Sequence, residues 1–280
     1  MPQQTGFRGS IRRYTDGLRL AVSTLTVLRV GTPAAVGPGV VGAAMACAPL
    51  VGVGLGLAAG LAGLAARGWT GSNLLAGVVG IGVLAALTRA LHLDGLADTA
   101  DGLGSGKPAA EALDIMKRSD IGPFGVATLV LLTVFQIGCL DAAFQHGRGL
   151  IGVIAAAVAG RLAVTAACTP PIPSARPEGL GAWVARTVRL RTAIVVGVVA
   201  VVVCGGLGTV PGIASDLAGS TLHERTETAV LAAVAVVAGL GAALLLLRRC
   251  VARFGGITGD VLGALVETGT ATALLVVAFH

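Results

Sequence analysis

Asp94, Asp98 and Asp101 stand in residues 91–108, LHLDGLADTADGLGSGKP, directly after an apolar run. If 91–102 is helical, 3.6 residues per turn gather the three carboxylates within an arc of about 60°. Like charges on one arc repel, so the arrangement calls for a cation. A hard divalent ion suits it: Mg²⁺ is held by one or two carboxylates and completed by phosphates and water. Gly95 and Gly102 fall along one flank, leaving a ligand room to approach the backbone. The alternative is a solvated acidic helix end balanced by Lys117 and Arg118. The chain has only 14 acidic residues, and three on one arc favour the metal reading. His92 falls on the far side of the helix, open to a structural or a catalytic role.

Three further stretches carry groups suited to phosphate. KRSDIGPFG (117–125) offers Arg118 and Ser119, or else a basic membrane anchor and helix cap. SARPEGLG (174–181) offers Arg176 as a bidentate phosphate grip, with Glu178 beside it; a turn with an Arg–Glu pair is the plainer account. RFGGITGDVLGALVE (253–267) combines Gly255, Gly256, Thr258 and Asp260. Its backbone amides could cradle phosphate and Asp260 could add a metal ligand, or Asp260 could simply cap a helix. Arg161, deep in an apolar stretch, must face a cavity or a partner such as Glu267. GLGSGKP fails as a phosphate loop, because Asp101 stands where the first Gly is needed and Pro108 follows Lys107.

The elements that position these groups are membrane helices. The chain is 55% hydrophobic and 12% charged, with a mean hydropathy of +0.88, which excludes most soluble classes. A span needs roughly 20 apolar residues. Candidates are 34–66 (long enough to be tilted, broken or a hairpin), 72–90, 123–145, 149–168, 192–213, 226–247 and 261–279. The fold expected is an all-α polytopic bundle of about seven transmembrane helices forming a single domain over 1–280. Residues 1–30 form an interfacial amphipathic segment, helical over 11–30. Sixteen of the 20 Lys and Arg fall in the N-terminal segment and the loops after the second, fourth and sixth spans. The positive-inside rule then places the N-terminus and the 91–122 Asp-rich segment in the cytoplasm. The five cysteines lack metal spacing and read as apolar filler, and no basic block suggests nucleic acid.

Acidic metal ligands and basic phosphate grips on one membrane face suit metal-assisted transfer between phosphorylated substrates. A transporter would place its polar groups near the midplane, often with internal repeats, which are not evident here.

LHLDGLADTADG closely resembles the signature of the cobalamin synthase family, the adenosylcobinamide-GDP ribazoletransferases. PLVG (49–52), IGPFG (121–125), EGLG (178–181) and GGITGDVLGALVE (255–267) match in the same order. The resemblance implies transfer of the adenosylcobinamide phosphate moiety from adenosylcobinamide-GDP to α-ribazole or its 5′-phosphate. The products are adenosylcobalamin or its 5′-phosphate and GMP, made with Mg²⁺ at the cytoplasmic (inner) membrane. On that reading Asp94, Asp98 and Asp101 hold the metal and His92 joins them in catalysis. Arg118, Ser119, Arg161, Arg176, Glu178, Gly255, Gly256, Thr258 and Asp260 hold substrate. Besides the bilayer, a second copy of the chain or other cobalamin-biosynthesis enzymes are possible partners. Arg118-Ser119-Asp120 reverses the family's Asp-Ser-Arg order, and Ala100 stands where a cysteine is common. DTADG also resembles part of the CDP-alcohol phosphotransferase signature, whose further spaced aspartates are missing here.

Overall fold

A computed structural model describes residues 3–31, 33, 35–212 and 221–279, with side chains from residue 9 onward. Among these residues the fold is all-helical: α1 (Gln3–Leu25), α2 (Pro38–Ala46), α3 (Ala48–Thr70), α4 (Asn73–Leu87), α5 (Leu91–Gly104), α6 (Ala109–Ile115), α7 (Pro123–Gln145), α8 (Gly149–Ala167), α9 (Leu180–Val184), α10 (Leu190–Leu207), α11 (Leu222–Phe254) and α12 (Gly259–Ala278). Six are long and apolar enough to cross a membrane, and the bent pair α4–α5 brings the total to as many as seven.

The centre of the bundle is α8, an apolar helix buried almost throughout and packed by α3, α7, α10, α11 and α12. A helix apolar on all sides must be enclosed by others. Gly52, Gly56 and Gly60 let α3 lie against it: Cβ atoms on the first two would come within 2.6 Å of Ala157 O and 2.5 Å of Ile154 Cα. Small residues four apart allow this approach where lipid supplies no hydrophobic drive. By contrast α10 and α7 turn most of their valines and leucines outward, as lipid-facing helices do.

Six of the expected spans stand with adjusted ends, whereas 72–90 is the 15-residue α4, long enough to count as a span only together with α5. The long first stretch is a broken helix, α2 and α3 meeting at Cys47; its start, Ala34, lies outside the described residues. Ile213, the expected end of the fifth span, and residues 214–220 of the loop after it also lie outside. The interfacial segment forms α1 with an amphipathic face, but it ends at Leu25 rather than continuing to residue 30. There Val27 N–H donates to Leu87 O at 2.8 Å, tying the chain to the end of α4.

Past α4 the backbone turns by 88° through Arg89 and Ala90, both at positive φ (53° and 54°). Such values are uncommon outside glycine, and here they swing α5 across the end of the bundle. The loops after α5, α8 and α11 therefore meet on one face. Arg176 donates to Leu113 O there, and Arg253 to Lys107 O.

Candidate active site

A cavity of about 320 Å³ opens on this face, walled by α1, α2, α5, the 176–181 loop and the start of α12. Asp94 comes from α5, Arg176 and Glu178 from the loop, and Thr258, Gly259 and Asp260 from the α12 N-terminus. Residues 173–175 and 257 form a short parallel bridge, with Ile257 N–H donating to Pro173 O and Ala175 N–H to Ile257 O, both at 2.9 Å. That bridge brings Arg176 opposite Asp260. Thr258 caps α12 by accepting the Val261 N–H at 3.1 Å, and its hydroxyl lies 3.2 Å from Asp260 Oδ2.

The helix expected over 91–102 exists, and Asp94 and Asp98 share its face one turn apart. Asp94 is exposed and Asp98 half-buried. Burial, then the neighbouring charges of Asp260, Asp94 and Asp101, push the Asp98 carboxyl up to about 7, against a lowering pull from Arg176. No hydrogen-bond donor meets the side chain of Asp94 or Asp98 among the described residues.

Asp101 is placed differently from the expected shared metal face. It is buried, Oδ2 accepting the Gly122 N–H at 2.7 Å and Oδ1 the Gly125 N–H at 2.9 Å. These amides open α7 and have no helical partner of their own, so the carboxylate is committed to capping that helix. Among the described residues no three His, Cys, Asp or Glu side chains are close enough to enclose a metal unaided. Asp94, Asp98 and Asp260 are mutually close enough to feel one another; Asp94 and Asp260 line the cavity, and Asp98 stands one turn along α5, behind its lining. With two carboxylates free of other donors, the set fits an ion that substrate phosphates complete, as Mg²⁺ commonly requires.

Other expectations change for steric reasons. The flank of Gly95 is filled by protein: a Cβ there would lie 2.7 Å from Asp260 O. Gly102 similarly accommodates Met116 and Phe254. Gly255 N–H bonds Val251 O, and Ile257 N–H is spent in the bridge, so neither amide cradles phosphate. Gly256 has no Cβ because Pro173 O would lie 2.4 Å from it. The amides left without helical partners are those at the start of α12, beside Asp260.

Arg161 is buried below the cavity rather than lining it. Its Nη2 lies 3.4 Å from His92 Nδ1, and its charge is felt at Glu267, which accepts from Gln136 Nε2 at 2.8 Å. A guanidinium only donates, so His92 Nδ1 accepts and the ring proton sits on Nε2. That Nε2 is buried without a partner, while the ring borders the cavity. Arg118 and Ser119 are exposed on the loop before α7, outside the cavity wall. Thr24, Leu25 and Met45, from helices remote in sequence, line the cavity and carried no sequence signal.

A polytopic helical membrane protein with clustered carboxylates and an arginine around one interfacial cavity defines a class of membrane-embedded group-transfer proteins. The chain belongs to the cobalamin-5-phosphate synthase family, whose model matches residues 17–278. Adenosylcobinamide-GDP ribazoletransferases from Frankia casuarinae, Nocardioides sp. and Bradyrhizobium diazoefficiens are 43%, 36% and 34% identical to it. These matches cover 93%, 93% and 96% of this chain and 93%, 97% and 95% of the relatives. No solved structure matches the chain.

Proposed function

We infer that the chain is an adenosylcobinamide-GDP ribazoletransferase that uses Mg²⁺ on the cytoplasmic face of the inner membrane. The observation that carries the chemistry is the meeting of Asp94, Asp260 and Arg176 around one cavity, with Asp98 close enough to feel the charge of all three. A hydroxyl of α-ribazole, or of its 5′-phosphate, attacks the phosphorus nearer cobinamide. A new P–O bond forms to that hydroxyl oxygen, the P–O bond to the GMP phosphate breaks, and GMP leaves with the electron pair.

Asp94 and Asp98 would hold Mg²⁺, which when bound neutralises the diphosphate and its developing charge. Arg176 grips a phosphate oxygen, aided by the free amides at the positive end of α12. Asp260, fixed by the Thr258 hydroxyl, accepts the attacking hydroxyl's proton. His92 Nε2–H donates to a substrate oxygen, and Arg161 acts through it rather than touching substrate. Glu178 closes the polar rim, and Asp101 holds the α5–α7 junction. The count of basic residues supports the cytoplasmic placement. Association with a second copy or with other enzymes of the same biosynthesis belongs to this reading and is read out by the mass of the solubilised complex.

The test is GMP release by purified, membrane-reconstituted protein given adenosylcobinamide-GDP and α-ribazole, with and without Mg²⁺. Dependence on all three components is expected. GMP release that ignores ribazole, or CMP release from a CDP-alcohol, would overturn the assignment.

A further inference from the structure

Beside the catalytic cavity lie two others that the reaction does not use. One is a basin of about 560 Å³ between α1, α2 and the segment after α9, lined by Arg13, Arg186, Arg189 and Trp183. The second is a trough of about 590 Å³ between α3 and α10, walled by Val53, Val195, Val199 and Val203, with Arg191 lining it where α10 begins. Tyr14, Ala46 and Thr192 line both. The two are therefore one groove, basic at one end and apolar along the rest.

The basic end is built and uncompensated. Among the described residues, none of Arg13, Arg186, Arg189 and Arg191 forms an ion pair with Asp or Glu. Arg186 is held at φ +62°, a conformation disfavoured for residues with a Cβ. The loop carrying it is pressed onto α2, where a Cβ on Gly42 would lie 2.3 Å from Thr187 O. The N-terminus of α10 adds its positive end. From Arg191 to Val203 the trough runs ~18 Å at 1.5 Å per residue, close to the ~15 Å depth of one leaflet of the hydrocarbon core.

We propose that this groove binds an anionic phospholipid, its headgroup phosphate on Arg13, Arg186 and Arg189 and one acyl chain in the valine trough. A zwitterionic lipid offers the same phosphate but brings an ammonium into a basin with no carboxylate, so the anionic headgroup is favoured. The bound lipid bears on catalysis through α9: Ala182 and Trp183 line the basin, while Leu180 and Gly181 line the catalytic cavity.

Trp183 is one of two tryptophans, so Trp69→Phe makes it the sole reporter inside the groove. The full chain carrying this change is reconstituted in bilayers containing brominated phosphatidylglycerol or brominated phosphatidylcholine at equal mole fraction. Quenching at lower mole fraction by phosphatidylglycerol is expected. Arg186→Gln and Arg189→Gln each reduce that preference about fivefold, the worth of one basic residue near an anionic headgroup. Val199→Phe, which fills the trough and leaves every charge in place, abolishes the preference, while unchanged circular dichroism shows that the variants fold. Equal quenching by the two lipids overturns the proposal, as does a preference that survives all three variants. Relief of quenching by millimolar inorganic phosphate overturns it in favour of a simple anion site. Cross-linking of two copies across α10 in the same bilayers, with no lipid preference, overturns it in favour of a dimer interface.

Discussion

Asp101 Oδ2 accepts the amide of Gly122 at 2.7 Å, across 21 residues of chain, and Oδ1 takes the amide of Gly125. One carboxylate of the aspartate-rich segment thus joins α5 to the opening turn of α7 and fixes the angle at which Asp94 and Asp98 are presented. Asp101→Asn is expected to lower thermal stability, since a charged cap with two donors is worth more than the usual ~1 kcal/mol of a neutral one. It should leave residual Mg²⁺-dependent activity. Asp94→Asn, Asp98→Asn and Asp260→Asn should not lower the melting temperature, with Asp98→Asn raising it near and above pH 7, while GMP release falls at least about 100-fold, the scale of losing a general base or metal ligand. Melting curves beside product assays separate the two groups, and full activity in all three of the latter would sink the proposed site.

The glycines facing Asp101 should be intolerant of any side chain. A Cβ on Gly122 would lie 2.4 Å from Asp101 Oδ1, and on Gly125 2.5 Å from Oδ2. Gly122→Ala and Gly125→Ala are expected to destabilise by roughly 1–3 kcal/mol, the cost of overpacking a well-filled site. Gly138, with open space around it, is the matched control. Comparison of folded yield and melting temperature checks the difference.

Proton competition should be visible at Asp98. Its folded-state value, raised from 3.8 to about 7, means the folded form binds this proton more tightly than the unfolded form does. Asp98's contribution to the stability of the metal-free protein therefore falls as pH rises from about 4 to about 7, as linkage requires. Mg²⁺ must displace the same proton, so its affinity should increase with pH up to about 7 and then level off. Isothermal titration with Mg²⁺ at pH 5.5, 6.5 and 7.5 tests this, and Asp98→Asn should flatten the trend.

Below the cavity, Arg161 and Glu267 balance charge within the bundle. Arg161 is buried and Glu267 half-buried, and they attract each other without an ion-pair contact, so removing Arg161 leaves the Glu267 carboxylate without that compensation. Arg161→Met should therefore be destabilised, and Arg161→Met/Glu267→Gln less so than the single variant. A double variant no more stable than Arg161→Met would show that the two charges are uncoupled.

Topology is checked by cysteine labelling in oriented vesicles. Single cysteines at exposed Lys117 and Arg118 should react from the cytoplasmic side, and one at exposed Trp69 from the other. The reverse pattern would move the proposed site outside.

Most of the architecture was legible in the sequence because bilayer crossing imposes a length and a composition that a linear chain displays directly. Most of the spans and the helix carrying Asp94, Asp98 and Asp101 follow from local rules. So do the family motifs, which are contiguous. The long first stretch, open by sequence to a tilted span, a break or a hairpin, is resolved into α2 and α3 only by packing. What sequence could not decide is which groups meet. Helical spacing treats the three aspartates as equivalent, yet the 88° turn at Arg89 and Ala90 and the packing of α7 bury Asp101 against Gly122 while Asp94 stays open. Gly95 read as ligand clearance and Gly256 as part of a phosphate cradle, but both are backbone crossings, since a residue without Cβ looks alike in these uses. Arg161 read as a substrate grip; its placement under His92 depends on α5 lying across the bundle. The joining of Asp94 and Asp98 to Asp260 and Arg176 spans more than 160 residues, and only tertiary packing sets such distances.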